Sequence, residues 1–295
     1  PLTLTIRNKD ARSEDYQELS QTLRPSHADF TTMARYGVRD PRGGGRSSAR
    51  ETAARVMAGA VAAQILAKAG IHCYAWVHSV GQVSMDAEAY ALQDSIPYTQ
   101  EQIESSPLRC PLPDIASAME NEINTARVRG DSVGGTVVGW CQGLPAGLGD
   151  PVYDKLDADL AKAMISINAA KVFELGSGWA ASSGHASDYN DPILAADTSE
   201  WTHIKTATNH AGGVLGGMST GTPLWFRVGF KPPSTIAIHQ NSVDHLGQPL
   251  VLKARGRHDP CVVPRAVPVV EAMLALVVLD HWLGFPSAKI QRLLP

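Results

Sequence analysis

The chain of 295 residues has little cysteine: Cys73, Cys110, Cys141 and Cys261, with no C-x-x-C pair among them. A zinc ribbon and a thioredoxin-like redox motif are therefore unsupported, and four scattered thiols suit a reducing compartment. It has no surplus of charge either. Twenty-six Lys and Arg stand against 29 Asp and Glu, a net charge of −3, so the molecule as a whole is no polyanion binder and any anion site must be local. No unbroken apolar run is long enough to span a bilayer; the nearest, 263–285, is interrupted by Arg265, Pro268, Glu271 and Asp280. There is no G-x-x-x-x-G-K-[ST] phosphate loop and no strict G-x-G-x-x-G after a strand, so neither nucleotide fingerprint is claimed. No signal peptide is visible, and no shift in composition marks a linker.

What is present is an interleaving of strand and helix patterns from end to end, which predicts one mixed domain over residues 1–295. Strands are expected at 2–7, 71–81, 130–143, 172–179, 223–230, 235–239 and 249–254. Helices are expected at 49–69, 114–129, 154–171 and 263–285. Residues 82–113 should be irregular with a short helix, and 180–210 a long polar loop. The 49–69 helix is apolar nearly all round, which predicts burial on several sides, and Ser48 with Glu51 makes an S-x-x-E capping box at its start.

Four stretches carry chemistry. Between positions 24 and 55 lie Arg24, Arg35, Arg39, Arg42, Arg46, Arg50 and Arg55, opposed only by Asp29, Asp40 and Glu51, with no lysine among them. An all-arginine cluster favours forked contacts to phosphate or carboxylate. A run of charge is most often a solvated face. Here, though, Gly43–Gly45 allow close backbone approach, and Ser47 and Ser48 stand at the mouth of a helix whose free N–H groups favour an anion. An RNA-binding arm of RGG type is the rival reading; such arms are repetitive, and this one occurs once and runs into a helix. "RPSHAD" (24–29) places His27 among arginines, whose charge disfavours imidazolium unless an anion compensates. "GRHDPC" (256–261) puts Arg257, His258 and Asp259 at a strand–helix junction. "NHAGGVLGGMSTG" (209–221), with "KPPST" (231–235), is glycine-rich enough for either tight packing or cofactor approach.

Together "RPSHAD", "GGGRSSARETAARV", "GDSVGG", "KLDADLAKAMISINAAK", "NHAGGVLGGMSTG", "KPPST" and "GRHDPCVVPRAVPVVEAM" resemble the chorismate synthase family, in that family's order and over residues 5–283. The resemblance implies an α+β fold, a single-domain sandwich of helices between antiparallel sheets, assembled as a homotetramer. It implies 1,4-anti elimination of phosphate from 5-enolpyruvylshikimate 3-phosphate to chorismate, a lyase reaction closing the shikimate pathway. Reduced FMN is the implied cofactor, with NADPH entering only as a flavin reductant; no metal, nucleic acid or membrane partner is implied. Carried over by position, His27 and Asp259 are the catalytic residues. Arg24, His27, Ser48, Ala49, Arg50 and Arg257 bind substrate. Arg46, Ser47, Ser48, Asn168, Ala169, Gly216, Lys231, Pro232, Pro233, Ser234, Thr235 and Arg257 bind flavin. The chain departs from the family at Ser26, Pro233 and Val172, and a left-handed backbone at Ser26 would strain its loop. It also has no G-E-S-H-G motif, the family's source of a second catalytic histidine. The expectation is an N-terminally truncated chain, either an active cytoplasmic enzyme (a plastid location stays open) or a weak or inactive homologue that still binds flavin or assembles.

Overall fold

The computed structural model describes residues 2–7, 21–40, 48–91, 95–195, 204–253 and 259–285. After α1 (Asp29–Tyr36) and α2 (Thr52–Ala67) come the strands β1 (His72–Val80) and β2 (Val83–Ser84). Then follow α3 (Glu88–Ala91), α4 (Gln100–Glu104), α5 (Pro113–Val128), β3 (Gly135–Gln142), α6 (Leu156–Ile165) and β4 (Ala170–Leu175). Next are α7 (Gly178–Ser183), α8 (Ala186–Tyr189), β5 (Val214–Leu215), β6 (Met218–Ser219) and β7 (Leu224–Phe230). The hairpin β8 (Gln240–Val243) and β9 (Pro249–Leu252) precedes the last helix, α9 (Val263–Gly284).

The main sheet has the order β2-β1-β3-β7-β4, and every neighbouring pair is antiparallel. Trp76, Trp140 and Trp225 are buried on one face of it, where Tyr90 and Tyr98 meet Trp76 edge-on and Tyr90 meets Trp225 edge-on. The alternate residues Ala75, Val77, Val137, Cys141 and Val228 carry the other face, and α9 lies against β1 and β3. α9 is long and apolar enough to cross a bilayer by length and composition, but its buried stripe, which includes Val263, Val270, Leu274 and Val278, serves this core. The class is α+β with antiparallel sheets, as the family resemblance implies; the interleaved periodicity alone did not choose antiparallel pairing.

Several expectations need correction. Residues 2–7 have no strand partner among the described residues. Leu2 and Leu4 instead lie along an apolar groove of about 420 Å³ with Met57, Val61, Leu276 and Leu279. The strand expected at 235–239 falls at 240–243, after the irregular stretch that follows β7. The 154–171 helix stops at Ile165, with Ser166 as its C-cap, and the chain then turns into β4 through Ala169 at a left-handed φ of 68°. α2 is buried along a narrow stripe only, Gly59, Ala62 and Leu66, and not on several sides. That stripe meets α9 at backbone distance: a Cβ on Gly59 would stand 2.3 Å from the Cβ of Ala272. The capping box does not form as read. Ser48 caps a short 3-10 turn at Ala49–Glu51 by accepting from the Arg50 N–H, and Glu51 pairs with Arg55 at 2.8 Å. The short helix expected within 82–113 does occur as α4, with a true capping box between Thr99 and Gln102, and α3 is a second one.

Candidate functional site

Residues 21–28 do not lead passively into α1. Leu23 N–H donates to Val243 O at 3.0 Å, and His245 N–H donates to Gln21 O at 3.0 Å. Ser242 Oγ also donates to Leu23 O. The segment is thus sewn to β8 and its turn. The chain then reverses through Ser26, whose φ of 54° is left-handed. A glycine would sit there without steric cost; serine holds the turn at a cost of about 1–2 kcal/mol. Ser26 O accepts from Lys231 Nζ at 3.0 Å, tying the turn to the loop that follows β7.

Behind the turn lies Asp29, 5% exposed, at the first position of α1. Its Oδ2 accepts from Arg24 Nε at 2.8 Å and from the Arg24 backbone N–H at 3.1 Å. Its Oδ1 meets Arg24 Nη2 at 2.9 Å, His27 Nδ1 at 2.9 Å and Arg39 Nη1 at 2.8 Å. Burial pushes the Asp29 carboxyl up, but the hydrogen bonds and charges of Arg24 and His27 outweigh it and hold the group well below the usual carboxylate range. Arg39 is fixed further by donating to Thr22 O at 2.7 Å.

A second set of elements brings up the opposite wall. Where α6 ends, Asn168 and Ala169 turn the chain, and Ala169 O accepts from Lys231 N–H at 3.0 Å. Arg55 of α2 donates to Ser166 Oγ at 2.6 Å and to Ser166 O at 3.2 Å, so the start of α2 is clamped to the end of α6. Pro233 O accepts from Ser132 Oγ at 2.6 Å, which pins the loop 231–235 to the entry of β3. Between the walls lies an open cavity of about 600 Å³. His27, Ala49, Asn168, Ala169 and all of Lys231 to Thr235 line it, with Lys171 beside them. Burial pushes the Lys231 amine down, and the charge of Lys171 adds to that, so this wall favours a compensating anion.

Most sequence-derived positions that the structure describes therefore meet here. Arg24 stands behind His27, with Nη2 3.0 Å from Nδ1. Ser48 and the exposed Arg50 flank Ala49 on the 3-10 turn. Arg46, Ser47 and Arg257 lie outside the described residues. Asp259 does not line the cavity. It pairs with Arg265 at 3.0 Å, and the following Pro260 O accepts from Val133 N–H, one residue past Ser132 and its bond to Pro233. Gly216 is not brought to this cavity either. It belongs to the β5–β6 turn beside the N-terminal end of α6, where Leu156 N–H donates to Gly217 O, whereas the cavity is at the other end. The arginine cluster divides: Arg24 and Arg39 hold Asp29, Arg55 holds Glu51 and Ser166, and Arg35 is exposed.

Sequence reasoning missed Asp29 as the hub, and Thr31, Ile165, Ile167 and Lys171 as lining residues. The signal for Asp29 was present: a lone carboxylate two residues from a histidine, inside an arginine cluster. Lys171 is flagged only by following two expected flavin positions closely.

Comparison with known proteins bears on the chain as a whole. The family model described as "Chorismate synthase" matches residues 1–283. The chorismate synthase of Opitutus terrae is 50% identical over 284 residues, 96% of this chain and 76% of its own length. That of Porphyromonas gingivalis is 50% identical over 289 residues, 98% of this chain and 76% of its own. A solved structure titled "Crystal Structure of Chorismate Synthase" superposes with a TM-score of 0.72 at 31% identity, covering 88% of this chain and 70% of that one. The match covers most of the chain in sequence and in three dimensions. On these grounds the chain belongs to the chorismate synthase family.

Proposed function

We propose that the chain catalyses the 1,4-anti elimination of phosphate from 5-enolpyruvylshikimate 3-phosphate, giving chorismate, with reduced FMN bound in the cavity of about 600 Å³. The observation that carries this reading is the convergence of 26–28, Ala49, 167–171 and 231–235 on one basic cavity. The lining fits both ligands. Its volume lies in the range of small-molecule and cofactor sites, with apolar prolines and isoleucines beside a few polar groups. Asn168, Ser234 and Thr235 offer hydrogen bonds to a flavin. Reduced FMN, when bound, supplies electron density that supports C–O cleavage without net redox change.

The protein's share is binding, orientation and proton supply. Two carboxylates and a phosphate make the substrate strongly anionic, and Arg24, Arg39, Lys171 and Lys231 outnumber Asp29 around the cavity. Such fixed positive charge stabilises a departing phosphate at little reorganisation cost. His27 is the acid within reach of the cavity, for either the phosphate or the anionic flavin. Arg46, Ser47, Ser48 and Arg257 are assigned the remaining ligand contacts; Asp259, paired with Arg265 away from the cavity, is given no proton role in this reading. Homotetramer assembly is part of the proposal, supported by the apolar groove beside α2 and α9. Cytoplasmic placement is also part of it, supported by four unpaired thiols.

The test is anaerobic: FMN, dithionite and substrate are mixed with the protein and chorismate is measured. Chorismate formation supports the reading. Flavin binding without turnover would sink it in favour of a homologue that binds flavin or assembles only.

A further inference from the structure

The roles of Arg24 and His27 leave a question that Asp29 answers. Arg24 Nη2 is 3.0 Å from His27 Nδ1, and Asp29 Oδ1 is 2.9 Å from the same nitrogen. A guanidinium can only donate and a carboxylate can only accept, so Nδ1 cannot be satisfied by both. If Nδ1 accepted from Arg24, its lone pair would face the carboxylate oxygen at 2.9 Å, acceptor against acceptor. If Nδ1 carries the proton, it donates a charge-assisted bond to Asp29, and Arg24 keeps its forked pair of bonds to the two carboxylate oxygens. The second arrangement satisfies every donor near the carboxylate; the first leaves a repulsive contact beside a buried anion.

We propose that Asp29 is the positioning residue of this site: its carboxylate fixes His27 with Nδ1 protonated and Nε2 left for the bound ligand, and holds Arg24 and Arg39 as a preassembled cationic pair. This rests on the reading of His27 as the acid. The other charges facing His27 are Lys231, whose Nζ is bonded to Ser26 O, and Lys171 across the cavity. Both are cationic, as are Arg24 and Arg39, so among the described residues Asp29 is the carboxylate that meets the ring, at 2.9 Å from Nδ1. With the ligand bound, Nε2–H is the proton to be given up, and Asp29 keeps the ring aimed while it leaves.

The test is nitrogen NMR of histidine-labelled protein over a pH titration, with the His27 signals identified by their loss in His27→Ala. Neutral His27 should show a protonated Nδ1 and a bare Nε2, the reverse of the tautomer that free imidazole side chains prefer. Asp29→Asn should convert it toward the Nε2–H form. It should also lower kcat about tenfold with flavin affinity within about threefold, and move the alkaline limb of the turnover profile to lower pH. A neutral His27 protonated on Nε2 in the unaltered protein overturns the proposal, and so does an Asp29→Asn profile superposable on the original. The tautomer in the unaltered protein decides the matter even if Asp29→Asn fails to fold. Unchanged turnover in His27→Ala would instead remove the acid assignment, while the tautomer still reports on Asp29.

Discussion

Two aspartates of this protein gather partners in different ways. Asp29 is surrounded by side chains that carry charge, Arg24, Arg39 and His27, and the last of these lines a cavity. Asp191 accepts from the backbone N–H of His210 at 2.7 Å and of Ala211 at 2.9 Å, and from Thr208 Oγ1 at 2.6 Å. Nearby, Asn209 donates to Pro223 O at 2.7 Å and its own carbonyl accepts from Trp225 Nε1 at 3.0 Å. The first carboxylate organises groups that reach a ligand; the second closes a glycine-rich turn on itself. Both stretches look equally motif-like in sequence. What separates them is whether the partners are ionisable ends at a cavity or backbone groups that have no other use.

If the comparison is right, damage to the two regions should read out differently. The largest effect is expected at Gly212, where φ is 68° and a Cβ would stand 2.5 Å from Gly176 N. Gly212→Ala should lower unfolding free energy by about 4 kcal/mol, measured by urea denaturation, while the folded fraction keeps its flavin affinity. Loss of affinity without loss of stability would break the comparison.

Acid should separate the regions as well. Burial, reinforced by the charge of Arg227, pushes His78 from 6.5 down to about 4. Between those values the unfolded chain takes up a proton at His78 that the folded chain refuses, so the His78 share of stability should fall by about 3 kcal/mol as pH drops from 6.5 to 4, while Glu271, pushed up to about 7 by burial, contributes in the opposite direction. His78→Gln should gain about 3 kcal/mol relative to the unaltered protein between pH 6.5 and 4, by urea denaturation. Asp29, held well below the usual range, stays ionised throughout, so the cavity network should survive acid that weakens the core. A His78→Gln stability that tracks the unaltered protein over that interval would contradict the assignment of His78.

Next in size is Lys231→Ala, which should weaken flavin or substrate binding about tenfold, roughly 1.4 kcal/mol, with little change in melting temperature. Equal affinity for the variant would remove Lys231 from the site. Smallest is Ser26→Gly, which relieves a left-handed serine and should raise stability by about 0.5 kcal/mol in the same urea assay. A lower urea midpoint would show that the serine is not strained there.

The sequence made the regular elements legible because periodicity is local. β1, β3, β7, α5 and α9 fall within a few residues of their expected bounds, and four of the quoted stretches converge as expected. What it did not reveal depends on partners distant in the chain. Whether residues 2–7 pair with a strand is settled by neighbours, not by alternation. The turn from α6 into β4 runs through Ala169, in a left-handed conformation that non-glycine residues rarely take. The clamp from Arg55 to Ser166 spans 111 residues, and no spacing rule could have found it. Asp29 was within a motif already in view, but its importance follows from burial and from Arg39, which arrives from the far end of α1.

The central claim is that the cavity beside His27 is where the proton is delivered. Anaerobic turnover of His27→Ala beside the unaltered protein, with circular dichroism and melting temperature recorded on the same samples, tests it most directly. The account predicts chorismate formation at least tenfold slower with the fold unchanged; turnover at the original rate would contradict it.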